Sequence, residues 1–126
     1  MQLYKNAMSY QHHDTGKKGE DMAVDYLQQL NFTILDRNWR YARFEIDVIA
    51  HKEQVLHIIE VKTRTNLLFG HPEESVSRKK INNMINSANA YMRKNPQWRQ
   101  VQFNILSITL LKDQPPEFFL IEDVFL

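Results

Sequence analysis

The stretch Phe44-Glu45-Ile46-Asp47-Val48-Ile49-Ala50, then His51-Lys52-Glu53-Gln54, then Val55-Leu56-His57-Ile58-Ile59-Glu60-Val61-Lys62-Thr63 decides how this chain folds. Two runs rich in β-branched and aliphatic residues flank a short polar segment, which is the pattern of a β-hairpin. Four charged residues, Glu45, Asp47, Glu60 and Lys62, interrupt runs that otherwise read as core strands. Side chains alternate along a strand, so Glu45, Asp47 and Ile49 share one face of the first run, and Leu56, Ile58, Glu60 and Lys62 share one face of the second. A turn closing with His51 opposite Gln54 sets Glu45 against Glu60 and Asp47 against Ile58. A slip of two residues sets Asp47 against Glu60 and Glu45 against Lys62, and in either register the charged faces coincide. Neighbouring carboxylates in a partly buried sheet repel one another and raise each other's pKa, so a cation is implied. Lys62 supplies one charge. Two readings follow: an ion-pair ladder on the surface of a hairpin, or a site for Mg²⁺ or Mn²⁺, ions that bind through oxygen ligands and several waters.

Outward from the hairpin, a helix is expected from Thr15 or Gly16 to Leu30, capped by Asp14 or Thr15, with Ala23, Val24, Leu27 and Leu30 on one stripe. Glu20 lies on that stripe, so its carboxylate is expected to point towards the sheet; an acid in a first helical turn also interacts well with the helix dipole. Phe32 to Leu35 reads as a strand, followed by the polar and aromatic segment Asp36 to Tyr41. After the hairpin a Gly70-His71-Pro72 loop leads to a second helix, Val76 to Lys94, whose stripe is Ile81, Met84, Ile85, Ala88, Tyr91 and Met92. Asn95-Pro96 ends it. Val101 to Leu111 and Phe118 to Ile121 read as the last strands. The order α-β-β-β-α-β-β predicts an α/β protein, a mixed β-sheet flanked by helices. Residues 1–13 read as a loose leader and residues 14–126 as one domain.

Composition narrows the function. The 126 residues contain no cysteine, which excludes disulfides, iron–sulfur clusters and thiolate zinc sites. The three glycines are too few for a phosphate-binding P-loop or a dinucleotide fingerprint. No apolar run approaches the ~18 residues of a membrane span and the start lacks the apolar core of a secretion signal, so a cytoplasmic protein without a membrane partner is expected. Lys+Arg 16 against Asp+Glu 15 is too small a bias to indicate nucleic acid from bulk charge, so any such case rests on local charge. The five histidines show no zinc-ligand spacing, and His57 is expected on the strand face opposite Glu60.

Asp47, twelve intervening residues and Glu60-Val61-Lys62 resemble the Asp…Glu-x-Lys signature of the PD-(D/E)xK nuclease superfamily, which has a restriction-endonuclease-like fold with an α-β-β-β-α-β core. More specifically, Gly19-Glu20-Asp21-Met22-Ala23, Arg37-Asn38-Trp39-Arg40, Glu45 to Ala50, Glu60-Val61-Lys62-Thr63-Arg64 and Lys80 are similar to successive motifs of the YraN-like bacterial family, over about Thr15 to Leu111. That family is regarded as one of predicted nucleases related to Holliday-junction resolvases, and fold membership does not settle activity. The resemblance implies that Asp47 and Glu60 ligate Mg²⁺ (or Mn²⁺) with the backbone carbonyl of Val61, and that Lys62 serves the attacking water in phosphodiester hydrolysis. Glu20 would bind a second metal or an outer water, and Glu45 has no firm place. One departure stands out: where the family carries Arg-Phe-Asp, this chain has Gln102-Phe103-Asn104, as if an ion pair had been replaced by an amide pair.

Arg37, Arg40 and Arg43 interleave with Trp39 and Tyr41, and Arg64 and Lys80 follow, a pattern suited to phosphate neutralisation beside base stacking. The expected partner is nucleic acid, DNA in the first instance. Cleaving a junction symmetrically would favour a two-fold homodimer. Three functions are therefore weighed: a metal-dependent nuclease, a nucleic-acid-binding module of nuclease fold without turnover, and an interaction protein whose carboxylates only make ion pairs.

Overall fold

Helix α1 (Thr15–Gln29) packs Met22, Ala23 and Leu27 onto a sheet, all three fully buried. It stops in a reciprocal cap: Asn31 takes φ 72°, its N–H donates to the Gln28 carbonyl at 3.0 Å, and the Phe32 N–H donates to the Leu27 carbonyl at 3.0 Å. Asparagine tolerates this left-handed conformation, and the cap satisfies carbonyls that a helix end otherwise leaves unpaired. The computed structural model describes residues 15–66 and 77–124. The expected leader, the Asp14 cap and the Gly70–Pro72 loop lie outside the described residues.

Strands β1 (Thr33–Tyr41), β2 (Phe44–Lys52) and β3 (Val55–Arg64) follow as an antiparallel meander. Helix α2 (Arg78–Lys94) then carries the chain across so that β4 (Val101–Thr109) pairs parallel with β3, and β5 (Glu117–Ile121) returns antiparallel to β4. The sheet order is β1-β2-β3-β4-β5, a mixed sheet with the expected α-β-β-β-α-β core of a restriction-endonuclease-like domain. Among the described residues no helix is long and apolar enough to cross a membrane.

Alternation along β2 and β3 divides the core. Val48, Ala50 and Ile59 meet α1, together with Leu106 and Ile108 of β4. Ile49, Leu56 and Ile58 meet Met84, Ala88 and Tyr91 of α2 on the other face. Each such apolar side chain contributes roughly 1.5–3 kcal/mol when fully buried, so a one-residue slip of either strand would exchange two cores at once.

Three local expectations need correction. The segment Asp36–Tyr41 is not a separate polar stretch but the continuation of β1. A bulge at Leu35 resets the strand: Ile34 pairs with Ala50 and Asp36 with Ile49, so Asp36 turns towards α2 and accepts a 2.8 Å hydrogen bond from the Tyr91 hydroxyl. Polar residues are tolerated there because β1 is an edge strand. The hairpin turn is also displaced by one residue from a closure of His51 on Gln54: Lys52 pairs with Val55, leaving Glu53 and Gln54, at φ 52° and 68°. Finally, α2 buries Ser87 and Ala90 alongside Met84, Ala88 and Tyr91, while Ile81, Ile85 and Met92 are only partly covered.

Two stability measurements follow. A Cβ built on Gly19 would sit 2.0 Å from Thr63 Oγ1 and 3.1 Å from Thr63 Cβ, so this glycine lets α1 lie directly on β3. Gly19→Ala should cost about 1–3 kcal/mol in urea unfolding, and Thr63→Ala should recover part of that loss; additive losses would mean that the contact does not set the helix position. Left-handed conformations cost a residue with a side chain roughly 1–2 kcal/mol, so Gln54→Gly should raise stability by about 1 kcal/mol. A fall instead would contradict the turn geometry.

Candidate metal and nucleic-acid site

The register that sets the turn also sets the site. Paired residues run from Lys52 and Val55 to Val48 and Ile59, and the ladder ends there. Beyond it β2 stays paired with β1 as far as Phe44, and β3 stays paired with β4 as far as Arg64. The two strands therefore part where Asp47 and Glu60 stand, in the second of the two registers weighed above. At this fork the Val61 N–H donates to Asp47 Oδ2 at 2.8 Å, a side chain taking the place of the missing strand carbonyl.

Burial and the adjacent Glu60 charge push Asp47 up to about 7, against which the Val61 N–H works. Among the described residues Asp47 makes no salt bridge. Glu60 is 7% exposed and is compensated: Lys80 Nζ lies 2.5 Å from its Oε1 and Lys62 Nζ 3.7 Å. Lys62 is thus joined by Lys80 from the edge of the α2 stripe, and Lys80 is the nearer of the two. Burial disfavours the Lys80 ammonium, but the Glu60 carboxylate outweighs that and holds its pKa above the usual value.

Glu20 reaches the same end of the sheet from the α1 side. The Asn38 amide, oriented with its nitrogen towards both acids, donates at 2.9 Å to Glu20 Oε1 and at 2.9 Å to Glu45 Oε1. Burial, and secondarily the Glu45 charge, raise the Glu20 pKa, and the negative charge of Glu20 in turn adds to the rise at Asp47. Asn38 does this from a left-handed backbone at φ 51°. Nothing in its identity marked it as the bridge between the acids, although its place between Arg37 and Trp39 in a motif was visible.

The basic cluster is less free than its spacing suggested. Arg37 pairs with Asp21 of α1 at 2.5 Å and Arg40 with Glu45 at 3.3 Å. Arg64 Nε donates to Thr109 Oγ1 at 3.3 Å. Trp39 sits edge-on against Tyr91, with ring centroids 5.2 Å apart, and is partly covered by the α2 core, leaving Tyr41 the more exposed aromatic. Arg43 lies in the β1–β2 turn and is exposed.

His57 falls on the α1 face, away from Glu60, as expected, and packs edge-on against Phe32. Burial lowers its pKa, and the neutral ring accepts through Nδ1 from Asn104 Nδ2 at 2.9 Å. Asn104 Oδ1 accepts from Gln102 Nε2 at 3.1 Å and from the Asp123 N–H at 3.0 Å. The two amides do pair, and a fully buried position carries no charge.

The donor set suits a hard divalent ion. Asp47 and Glu60 bring carboxylate oxygens to one face of the sheet, and among the described residues Asp47 has no salt-bridge partner. Among the described residues no group of three histidine or acidic side chains converges on one point, so the protein offers two carboxylates there and no fuller cage. Glu20 and Glu45 are joined through Asn38 and stand as a second acidic pair beside the first.

Known proteins with the same sequence pattern bear on this geometry. The family described as "Uncharacterised protein family UPF0102" matches residues 19–108, which span the helix, the fork and β4. A UPF0102 protein of Flavobacterium psychrophilum is 40% identical over 98 residues, covering 78% of this chain and 82% of its own length. One from Bacteroides thetaiotaomicron is 44% identical over 98 residues, with 78% and 81% covered. A third, from Phocaeicola vulgatus, is 41% identical over 114 residues, covering 90% and 91%. With the motifs that form the fork lying inside the matched region, the chain belongs to the UPF0102 family.

Proposed function

We propose that this protein is a metal-dependent nuclease that hydrolyses phosphodiester bonds in DNA, branched or junction substrates included. The observation that carries this reading is Asp47: a half-buried carboxylate beside Glu60, held at a strand fork by a backbone N–H and, among the described residues, without a salt-bridge partner. Accepting from the Val61 N–H needs no charge, since an amide oxygen would serve at lower desolvation cost, so the charge itself calls for a cation.

Asp47 and Glu60 would hold Mg²⁺ or Mn²⁺, with the Val61 carbonyl as a further oxygen donor. A divalent ion bound there supplies Lewis acidity, lowering the pKa of a water and offsetting charge that builds on the phosphate. The protein's own groups do the rest. Lys80 fixes the Glu60 carboxylate, and the partly exposed Lys62 Nζ donates to the attacking oxygen and stabilises its negative charge. Glu20 and Glu45, spaced by Asn38, would hold an outer water or a second ion. Arg43, Arg64 and the outer faces of Arg37 and Arg40 would meet phosphates along the strand. The tight Glu60–Lys80 pair supports the second reading, a nucleic-acid-binding module without turnover, since it neutralises one carboxylate with no ion at all.

The deciding experiment is a Mg²⁺ and Mn²⁺ cleavage screen over duplex, single-stranded, flapped and four-way substrates. Asp47→Ala should abolish divalent binding in calorimetry and cleavage together, whereas Lys62→Ala should keep the binding and lower the single-turnover rate by roughly 10²-fold or more. Equal loss of metal binding in both would make Lys62 a structural residue. Binding of nucleic acid with no cleavage of any substrate would favour the second reading.

Stability should report the Asp47 proton. Its pKa rises from 3.8 to about 7 on folding, so between those values the folded protein keeps a proton that the unfolded chain has lost. Stability from this group is therefore present below about pH 4 and lost as the pH rises to 7, by on the order of 2–4 kcal/mol. Asp47→Asn keeps an acceptor for the Val61 N–H and removes the charge, so it should unfold at higher urea than the parent at pH 8 and at a similar or lower concentration at pH 4. Parallel stability curves for the two proteins across that range would show that Asp47 is not desolvated in this way.

A further inference from the structure

Helix α2 opens with Arg78, Lys79 and Lys80, and its first turn holds no acid. Three cations against the positive end of a helix dipole are unfavourable unless an anion joins them. Beside that turn, the start of β2 and one face of α2 border a cleft of about 300 Å³. Arg43, Lys79 and Lys80 bring positive charge to it, while Phe44 and Met84 give it an apolar surface. Glu45 also borders it, but that carboxylate is already engaged by Arg40 and Asn38.

A second observation points inward. Ser87 lines the cleft, is only 1% exposed, and its Oγ has no hydrogen-bond partner among the described residues. Helical serines ordinarily return their hydroxyl to a carbonyl one turn earlier, and buried polar atoms are rarely left unpaired. Asn83, one turn before Ser87 on the same helix, adds an amide that can both donate and accept.

We propose that this cleft binds one unpaired nucleotide, its phosphate at Arg43 and Lys79, its base against Phe44 and Met84, and the base edge bonded by Asn83 and Ser87 Oγ. The space suits a single nucleotide and not a base pair, so a base must leave its stack to enter. Lys80 borders the cleft with the ammonium that also holds Glu60, so an occupied cleft sets the adjoining phosphate beside the carboxylates. The proposal rests on the nucleic-acid reading above and gives it a substrate class: strands with unpaired positions. A nucleotide within a strand and a free mononucleotide share this chemistry.

The test is made without metal, in EDTA, so that no cleavage is needed. Fluorescence anisotropy compares a labelled oligothymidine strand with a blunt duplex, and calorimetry titrates TMP and AMP. The single strand should bind roughly tenfold tighter than the duplex. Asn83→Leu, which fills the opening, and Ser87→Ala, which removes the unpaired hydroxyl, should each erase that preference while leaving duplex binding in place. Thermal melts of both variants check that they fold. TMP or AMP binding that both variants lose would show the cleft also takes free nucleotides, in support of the same assignment. A strand preference in Asp47→Ala, with no cleavage of any substrate by the parent, would keep the cleft and remove the nuclease reading. Equal binding of strand and duplex by the parent, or a preference that ignores both Asn83 and Ser87, would overturn the cleft assignment even if the protein cleaves.

Discussion

The hydrogen bond from the Val61 N–H to Asp47 Oδ2, 2.8 Å long, is the contact on which the arrangement of this protein turns. Where β2 and β3 separate, each strand exposes backbone groups that an uninterrupted ladder would have paired. A buried N–H left without a partner is costly, and Asp47 satisfies it with a side chain. That substitution lets the sheet divide without leaving the amide orphaned. It also fixes the Asp47 carboxylate within the sheet, close to Glu60, in surroundings that oppose its charge.

Electrostatic balance then organises the neighbouring elements. Glu60 is neutralised from its own strand by Lys62 and from α2 by Lys80, so the position of α2 is tied to the site as well as to the Ile49, Leu56 and Ile58 core. On the other side α1 lies close to β3 because Gly19 leaves room for Thr63, and it brings Glu20 and Asp21 to the same end of the sheet. Asn38 separates Glu20 from Glu45, and Asp21 holds Arg37. Two helices on opposite faces thus converge their charged ends on one fork, while their apolar sides are buried farther along the strands.

The far end of β3 is treated differently. There His57, Asn104 and Gln102 form a neutral network, with the imidazole kept uncharged by burial and its Nδ1 accepting from Asn104. An ion pair at this buried position would have carried a desolvation cost that an amide pair avoids. The Gln102–Asn104 amide pair lies in the interior of the sheet beneath α1, apart from the carboxylate fork.

Much of this was legible in the chain. Period-two alternation identified the hairpin, the shared face of Asp47 and Glu60, and the opposite placement of His57, because side-chain direction in a strand depends only on residue parity. Helical periodicity put α1 and α2 within a few residues of their observed limits. The amide pair was anticipated through the family resemblance alone, not from the pattern of the chain itself. Parity could not choose between two registers that differ by two residues, since both preserve every face; the two-residue turn at Glu53 and Gln54 chose, and it lacks the glycine that would have announced it. Nor could spacing show that Arg37, Arg40 and Trp39 spend their capacity within the molecule, that Lys80 would be nearer to Glu60 than Lys62 is, or that Ser87 would face a cleft. Those facts arise from contacts between elements far apart in the chain. The sequence by itself determined which side chains share a surface; only the packing of α1 and α2 on a divided sheet decided which opposite charges meet, which carboxylate is left without a cation, and which polar group is buried unpaired.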